Sequence, residues 1–202
     1  MGNDTNPPTE RKNMYKEYWE HFKRRKEKSQ NKIQVWSLPP KDFLKINSDG
    51  AFRESTHSSE WGFTIKNELG ETLVAGAGNL TFVGDPLHAE AAAMFHVIQE
   101  AARMGCQKII LETDATVLKQ AMTSEAYDNS VLGVLFKGLK SVIQYSFQCC
   151  KIEVCPKVCN ISAHCLAAFG VSLERGNYQV WFDPLPSHVK DLVAGVCPVR
   201  VS

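Results

Sequence analysis

The sequence predicts an α/β fold: a five-stranded mixed sheet, its first three strands antiparallel, flanked by helices. Three observations lead there. Three β-patterned runs follow one another with short connections, which makes a meander. A strongly periodic helix, Asp85 to Gly105, comes next. Strand and helix patterns then alternate, for an order β-β-β-α-β-α-α-β-α without internal repeats.

The elements justify themselves in turn. "FLKINSDGAF" reads as a strand carrying Asp49 and Gly50. "WGFTIKN" alternates Trp61, Phe63 and Ile65 on one face, "NELG" turns, and "TLVAGAGNL" is the third strand. In "DPLHAEAAAMFHVIQEAARMG", Asp85 suits the cap, Pro86 the first helical position and Gly105 the stop. Leu87, Ala91, Met94, Ile98 and Ala101 form its core-facing stripe, and Glu90 sits on the edge of that stripe. "KIILETDA" is a buried-type strand ending at Asp114. Helical patterns follow near Thr116 to Thr123 and Ser130 to Tyr145. "CKIEVCP" is the fifth strand, and "NISAHCLAAFGVSLERG" is a final helix with Asn160 as its cap.

The chain divides near residue 41. Residues 1–41 form a polar extension with a charged helix at Met14 to Lys28, a "KRRK" run and a stiff "SLPPKD" linker. Residues 42–178 form the main domain, and 179–202 a tail packing on it or trailing from it. The 202 residues are 44% hydrophobic, enough for a real core, and a net charge of +1 gives no global basic field. No apolar run spans a bilayer, so no membrane partner is expected. The seven cysteines and the polar start point to a reducing compartment, nucleus or cytoplasm.

A carboxylate on the core edge of a helix needs a partner, because an unpaired buried charge is costly. If the first and fourth strands are neighbours and the Asp85 helix crosses them, Glu90 meets Asp49 and Asp114. Such a cluster repels itself without a cation, and hard oxygens suit Mg²⁺ or Mn²⁺. Two such ions about 4 Å apart activate water against a phosphodiester. The alternatives are Asp49 as a turn residue, Asp114 as a helix cap and Glu90 paired with a lysine.

"DGAF", "HAEA", "ETDA" and "CNISAHCLA", so spaced, resemble the ribonuclease H domain. More closely, with the lead-in "VWSLPPKDFLKINSDGAF" and the late "VWFDPLPSHVKDLV", they resemble plant ribonuclease H-like domains related to non-LTR retrotransposon reverse transcriptases. The resemblance covers about residues 35–195. It implies the ribonuclease H-like fold and metal-dependent cleavage of the RNA strand of an RNA–DNA hybrid. It places Asp49, Glu90 and Asp114 on two Mg²⁺ or Mn²⁺ ions, with Glu90 near the RNA 2′-hydroxyl. His164 stands where most ribonucleases H carry a fourth metal-binding aspartate, as is usual in the plant group. An imidazole there suits Mn²⁺ better than Mg²⁺.

Gly50, Ala51, Thr116, Lys119 and Lys157 are the expected substrate contacts. The segment after Asp114 has only scattered lysines, among them Lys137 and Lys140, so weak, salt-sensitive binding is expected. A zinc site at Cys155, Cys159, His164 and Cys165 is the rival use of the cysteines. The expected partner is the RNA–DNA hybrid, bound by a monomer, with the partner of the N-terminal helix unassigned. The competing function is a catalytically weak or inactive module that binds nucleic acid or protein.

Overall fold

The structure is a computed structural model and describes residues 36–194. The charged segment Met14 to Lys28 and the last residues of the tail lie outside that range. The elements in chain order are β1 (Leu44–Arg53), β2 (Ser58–Lys66), β3 (Thr72–Thr81), α1 (Pro86–Arg103), β4 (Lys108–Thr113), α2 (Thr116–Thr123), α3 (Gly133–Ser146), β5 (Cys149–Val154), α4 (Ile161–Gly170), β6 (Tyr178–Phe182) and α5 (Ser187–Val193).

One sheet runs in the order β5-β4-β1-β2-β3-β6. β1, β2 and β3 form the expected antiparallel meander. β4 and β5 join the other side of β1 in parallel, each reached across helices. The sheet therefore has six strands, one more than the sequence reading of five. The sixth, "YQVWF", lies antiparallel on β3 as a half-exposed edge. The helix read as the last one also ends earlier, at Gly170, and α5 follows β6.

The alternating strands bury two faces. Ile46, Trp61, Phe63, Ile65 and Val74 point to a core closed by α1, α2 and α3. Ala75 and Ala77 point the other way, to Leu166 and Phe169 of α4 and Val189 and Val193 of α5. Asp85 caps α1 as expected, its Oδ1 accepting from the His88 backbone N–H at 2.8 Å. The core-facing residues of α1 are largely alanines, so the helix lies close to the sheet. Gly50 makes that approach possible, because a Cβ there would stand 2.4 Å from the Ala89 carbonyl carbon.

A buried polar layer lies on the α4 side of β1 and β4. Lys45 Nζ donates to Glu112 Oε1 (2.9 Å), and Asn47 Nδ2 donates to Glu112 Oε2 (3.0 Å). Trp36 covers the layer at 3% exposure, donating Nε1–H to Asn47 Oδ1 (3.3 Å). Its ring carries Lys45 Nζ at 5.1 Å and Lys66 Nζ at 4.9 Å, and it packs with Cys155 and Cys159.

Candidate active site

The register of β1 on β4 sets the site. Their parallel pairing ends at Asn47↔Glu112. Asp49 and Asp114 each lie two residues farther on, past the carboxyl ends of the paired segments. In open sheets with parallel strands, that crevice is where ligands bind. Asp49 is not a turn residue: β1 runs through it, paired with Gly62, to Arg53. Asp114 is not a cap: the capping position of α2 is Ala115, without a side-chain bond.

Glu90 arrives from the other face of the sheet. Because α1 rests on Gly50, the Glu90 carboxylate reaches β1 and accepts the Gly50 backbone N–H. Asp49, Glu90 and Asp114 each then offer an oxygen, and these atoms all lie within 4.8 Å of one another. Glu90 Oε2 is buried and has no hydrogen-bond partner. Burial first, then the charges of Asp49 and Asp114, push the Glu90 pKa up to about 9, against smaller opposing effects of the Gly50 N–H and Lys157. Without a cation, Glu90 therefore holds a proton at neutral pH.

α4 supplies the remaining wall. His164 Nδ1 lies 2.9 Å from Asp49 Oδ2. That hydrogen bond raises the imidazole pKa, with burial working against it. Asn160, expected from the sequence as the cap of α4, stands at that position but makes no side-chain capping bond. Its Nδ2 donates to the Ser48 carbonyl (2.9 Å), and also faces Asp114 Oδ1 (3.3 Å) and Asp49 Oδ1 (3.5 Å). Asn160 thus ties the two strand ends together. Its position before a helix looks like a cap in the sequence, and only the tertiary approach of α4 reveals the bridge.

The other expected residues distribute as follows. Gly50 lies under Ala89 and Glu90, and Ala51 is half-buried beside it on β1. Thr116 is exposed at the start of α2, with Lys119 half-buried one turn on. Lys157 is exposed in the turn before α4 and acts electrostatically on both Glu90 and His164. Lys140 is engaged by Asp128 and the Ser124 carbonyl. The zinc alternative does not form. Cys155 and Cys159 are buried against Trp36, while His164 turns to Asp49. Among the described residues, the group placed to share a cation is Asp49, Glu90 and Asp114. Three hard carboxylate oxygens, one of them orphaned, fit a divalent cation.

The comparisons agree with this architecture. Residues 47–170 match the family model described as "Reverse transcriptase-like". Among curated proteins, none matches the chain. Ribonuclease H1 of the halophilic archaeon Halobacterium salinarum NRC-1 superposes with TM-score 0.55 at 20% identity, covering 64% of this chain and 97% of that one. The N-terminal ribonuclease H domain of Rv2228c from Mycobacterium tuberculosis gives 0.53 at 18%, covering 63% and 92%. LC11-RNase H1, isolated from compost by a metagenomic approach and solved with an RNA/DNA hybrid, gives 0.56 at 16%, covering 61% and 92%. Asp49 and Asp114 lie just past the paired segments of β1 and β4, with Glu90 brought to them by α1, in a ribonuclease H-like domain, and the chain belongs to the Reverse transcriptase-like family.

Proposed function

We propose that the protein is a metal-dependent endonuclease that cuts the RNA strand of RNA–DNA hybrids. The observation that carries this reading is the meeting of Asp49, Glu90 and Asp114 within 4.8 Å, with Glu90 Oε2 buried and unpartnered. Asp49, Glu90 and Asp114 would hold Mg²⁺ or Mn²⁺, as a pair of ions. When bound, such ions supply an activated water and stabilise the leaving oxygen of a phosphodiester. Glu90 would give up its proton to act as a ligand. Asn160 keeps Asp49 and Asp114 at a fixed separation, and Lys157 attracts the phosphate backbone. His164 serves as a further ligand once its proton is gone, or remains a contact to Asp49 and substrate.

The test is cleavage of a labelled hybrid with Mg²⁺ and Mn²⁺ in parallel, with Asp114→Asn as the inactive control. Strand-specific cutting that disappears in Asp114→Asn supports the reading. A second reading, a binding module with little or no catalysis, draws on the His164–Asp49 contact. A protonated imidazole there neutralises a carboxylate that metal needs. Hybrid binding without cleavage in either metal selects it.

A further inference from the structure

Farther along the sheet from the carboxylates lies a group of rings that no part of the proposed chemistry uses. β1 runs outward from Asp49 through Gly50 to Phe52, roughly 10 Å along the strand at about 3.3 Å per residue. There Phe52 meets His57 edge to face, ring centroids 6.2 Å apart. Beside them, Ser58 pairs with Thr81 at the end of the β2–β3 ladder, and the Val83 N–H donates to the His57 carbonyl (3.0 Å). This pairing sets Phe82 next to His57. Phe82 is 91% exposed, and its φ of +64° lies in the left-handed region that a bulky side chain rarely adopts. His57 has the same unusual conformation, with φ of +45°. The fold thus spends backbone strain to keep an aromatic face in water, where burial gives nothing back.

We propose that Phe82, with His57 and Phe52 beside it, is a stacking platform for one unpaired base of the RNA strand. The proposal rests on the hybrid-cleaving reading and narrows its substrate to a hybrid with a single-stranded RNA extension. A base inside a duplex has no free face, whereas an unpaired base stacks on an exposed ring whatever its sequence. The β1–β2–β3 ladder joins the platform to the carboxylates, so the docked base belongs to the strand whose phosphate they would hold. Phe82 follows Thr81, which is level with Arg53 across β2, so it stands about 13 Å along and about 10 Å across the strands from Asp49, roughly five steps at about 3.4 Å per nucleotide. Cleavage therefore falls within a few nucleotides of the junction between hybrid and single strand.

The experiment is fluorescence anisotropy with the full chain carrying Asp114→Asn to prevent cutting. The probes are a blunt hybrid, the same hybrid with a short 5′ or 3′ RNA extension, and the same with a DNA extension. One RNA extension is expected to tighten binding about 5-fold or more, the low end of what one base–aromatic stack contributes. Phe82→Asn, which suits the left-handed backbone, is expected to remove that gain while leaving the melting temperature unchanged or higher, and Phe82→Tyr to keep it. An extension that gives no gain, a gain that survives Phe82→Asn, or an equal gain from DNA overturns the proposal. If no hybrid binds, the hybrid-cleaving reading fails separately. Single-stranded RNA that binds in a Phe82-dependent way then sustains the platform, and its failure to bind removes it.

Discussion

His164 Nδ1 stands 2.9 Å from Asp49 Oδ2, so an imidazole already occupies one side of a carboxylate of the candidate metal cluster. On the proposed function, protonated imidazole and metal would compete for Asp49.

The hydrogen bond to Asp49 raises the His164 pKa in the metal-free protein, against the effect of burial. A raised folded-state pKa gives stability that is complete below the unfolded value, near 6.5, and is lost as pH rises through the folded value. His164→Asn is therefore expected to lower the melting temperature in EDTA more at about pH 5.5 than at about pH 9. Mn²⁺ is expected to move the His164 titration to lower pH, followed by NMR of the ring protons. A midpoint indifferent to metal means that the cation does not reach Asp49. His164→Asp restores an all-oxygen site and is expected to raise the Mg²⁺-supported cleavage rate about 10-fold, equivalent to about 1.4 kcal/mol. The same substitution is expected to destabilise the protein in EDTA, because it sets a fourth carboxylate against Asp49.

Glu90 shifts stability in the same sense, over a wider range. Its pKa is pushed up to about 9 by burial and by Asp49 and Asp114. The folded protein holds this proton over a range in which the unfolded chain has released it. Stability is thus lost progressively from the unfolded pKa near 4.5 up to about 9. Glu90→Gln is expected to flatten that decline, with the largest gain in melting temperature at alkaline pH. Metal binding at pH 7 is expected to release a proton, seen by calorimetry as a heat that varies with the ionisation enthalpy of the buffer. A buffer-independent heat counts against Glu90 as a ligand.

Asn160→Ala removes the donor that faces the Ser48 carbonyl, Asp49 and Asp114. The cost is expected to be about 1–3 kcal/mol in chemical denaturation, because a buried carbonyl loses its side-chain donor and two carboxylates lose their tie. Asn160→Asp is expected to be worse in EDTA and partly rescued by Mn²⁺. If added metal does nothing for Asn160→Asp, the bridge is structural only.

Gly50→Ala tests the approach of α1. The added methyl meets backbone at 2.4 Å, which no side-chain rotation relieves. A loss of about 1–3 kcal/mol in stability is expected, with a larger fall in cleavage rate as Glu90 is lifted from the carboxylates. Wild-type activity in this variant would mean that Glu90 does not need its seat on β1.

Much of this was legible in the chain because the signals are local. Proline and aspartate at the start of α1, alternation along β2 and the apolar run of β4 each act within a few residues. The carboxylates could be grouped because each sits next to a strand end or on a helix edge. What was not legible depends on distant partners. β6 is five residues long and half-exposed, so its pattern is that of a loop until β3 is beside it. Asn160 has the sequence position of a cap, yet its amide finds Ser48 more than a hundred residues away. The contact between His164 and Asp49 is likewise invisible until α4 is set against β1.

Trp36, 3% exposed over the Lys45–Asn47–Glu112 layer, fixes where the chain can be shortened. That layer lies one strand step below Asp49 and Asp114. A truncation starting after Trp36 would let water into a buried ion pair and loosen the floor of the carboxylate cluster. Limited proteolysis should therefore spare Trp36 in its resistant fragment. Recombinant pieces that begin at Trp36 and pieces that begin at Asp42 should differ in solubility, although the six lost residues carry no part of the proposed chemistry.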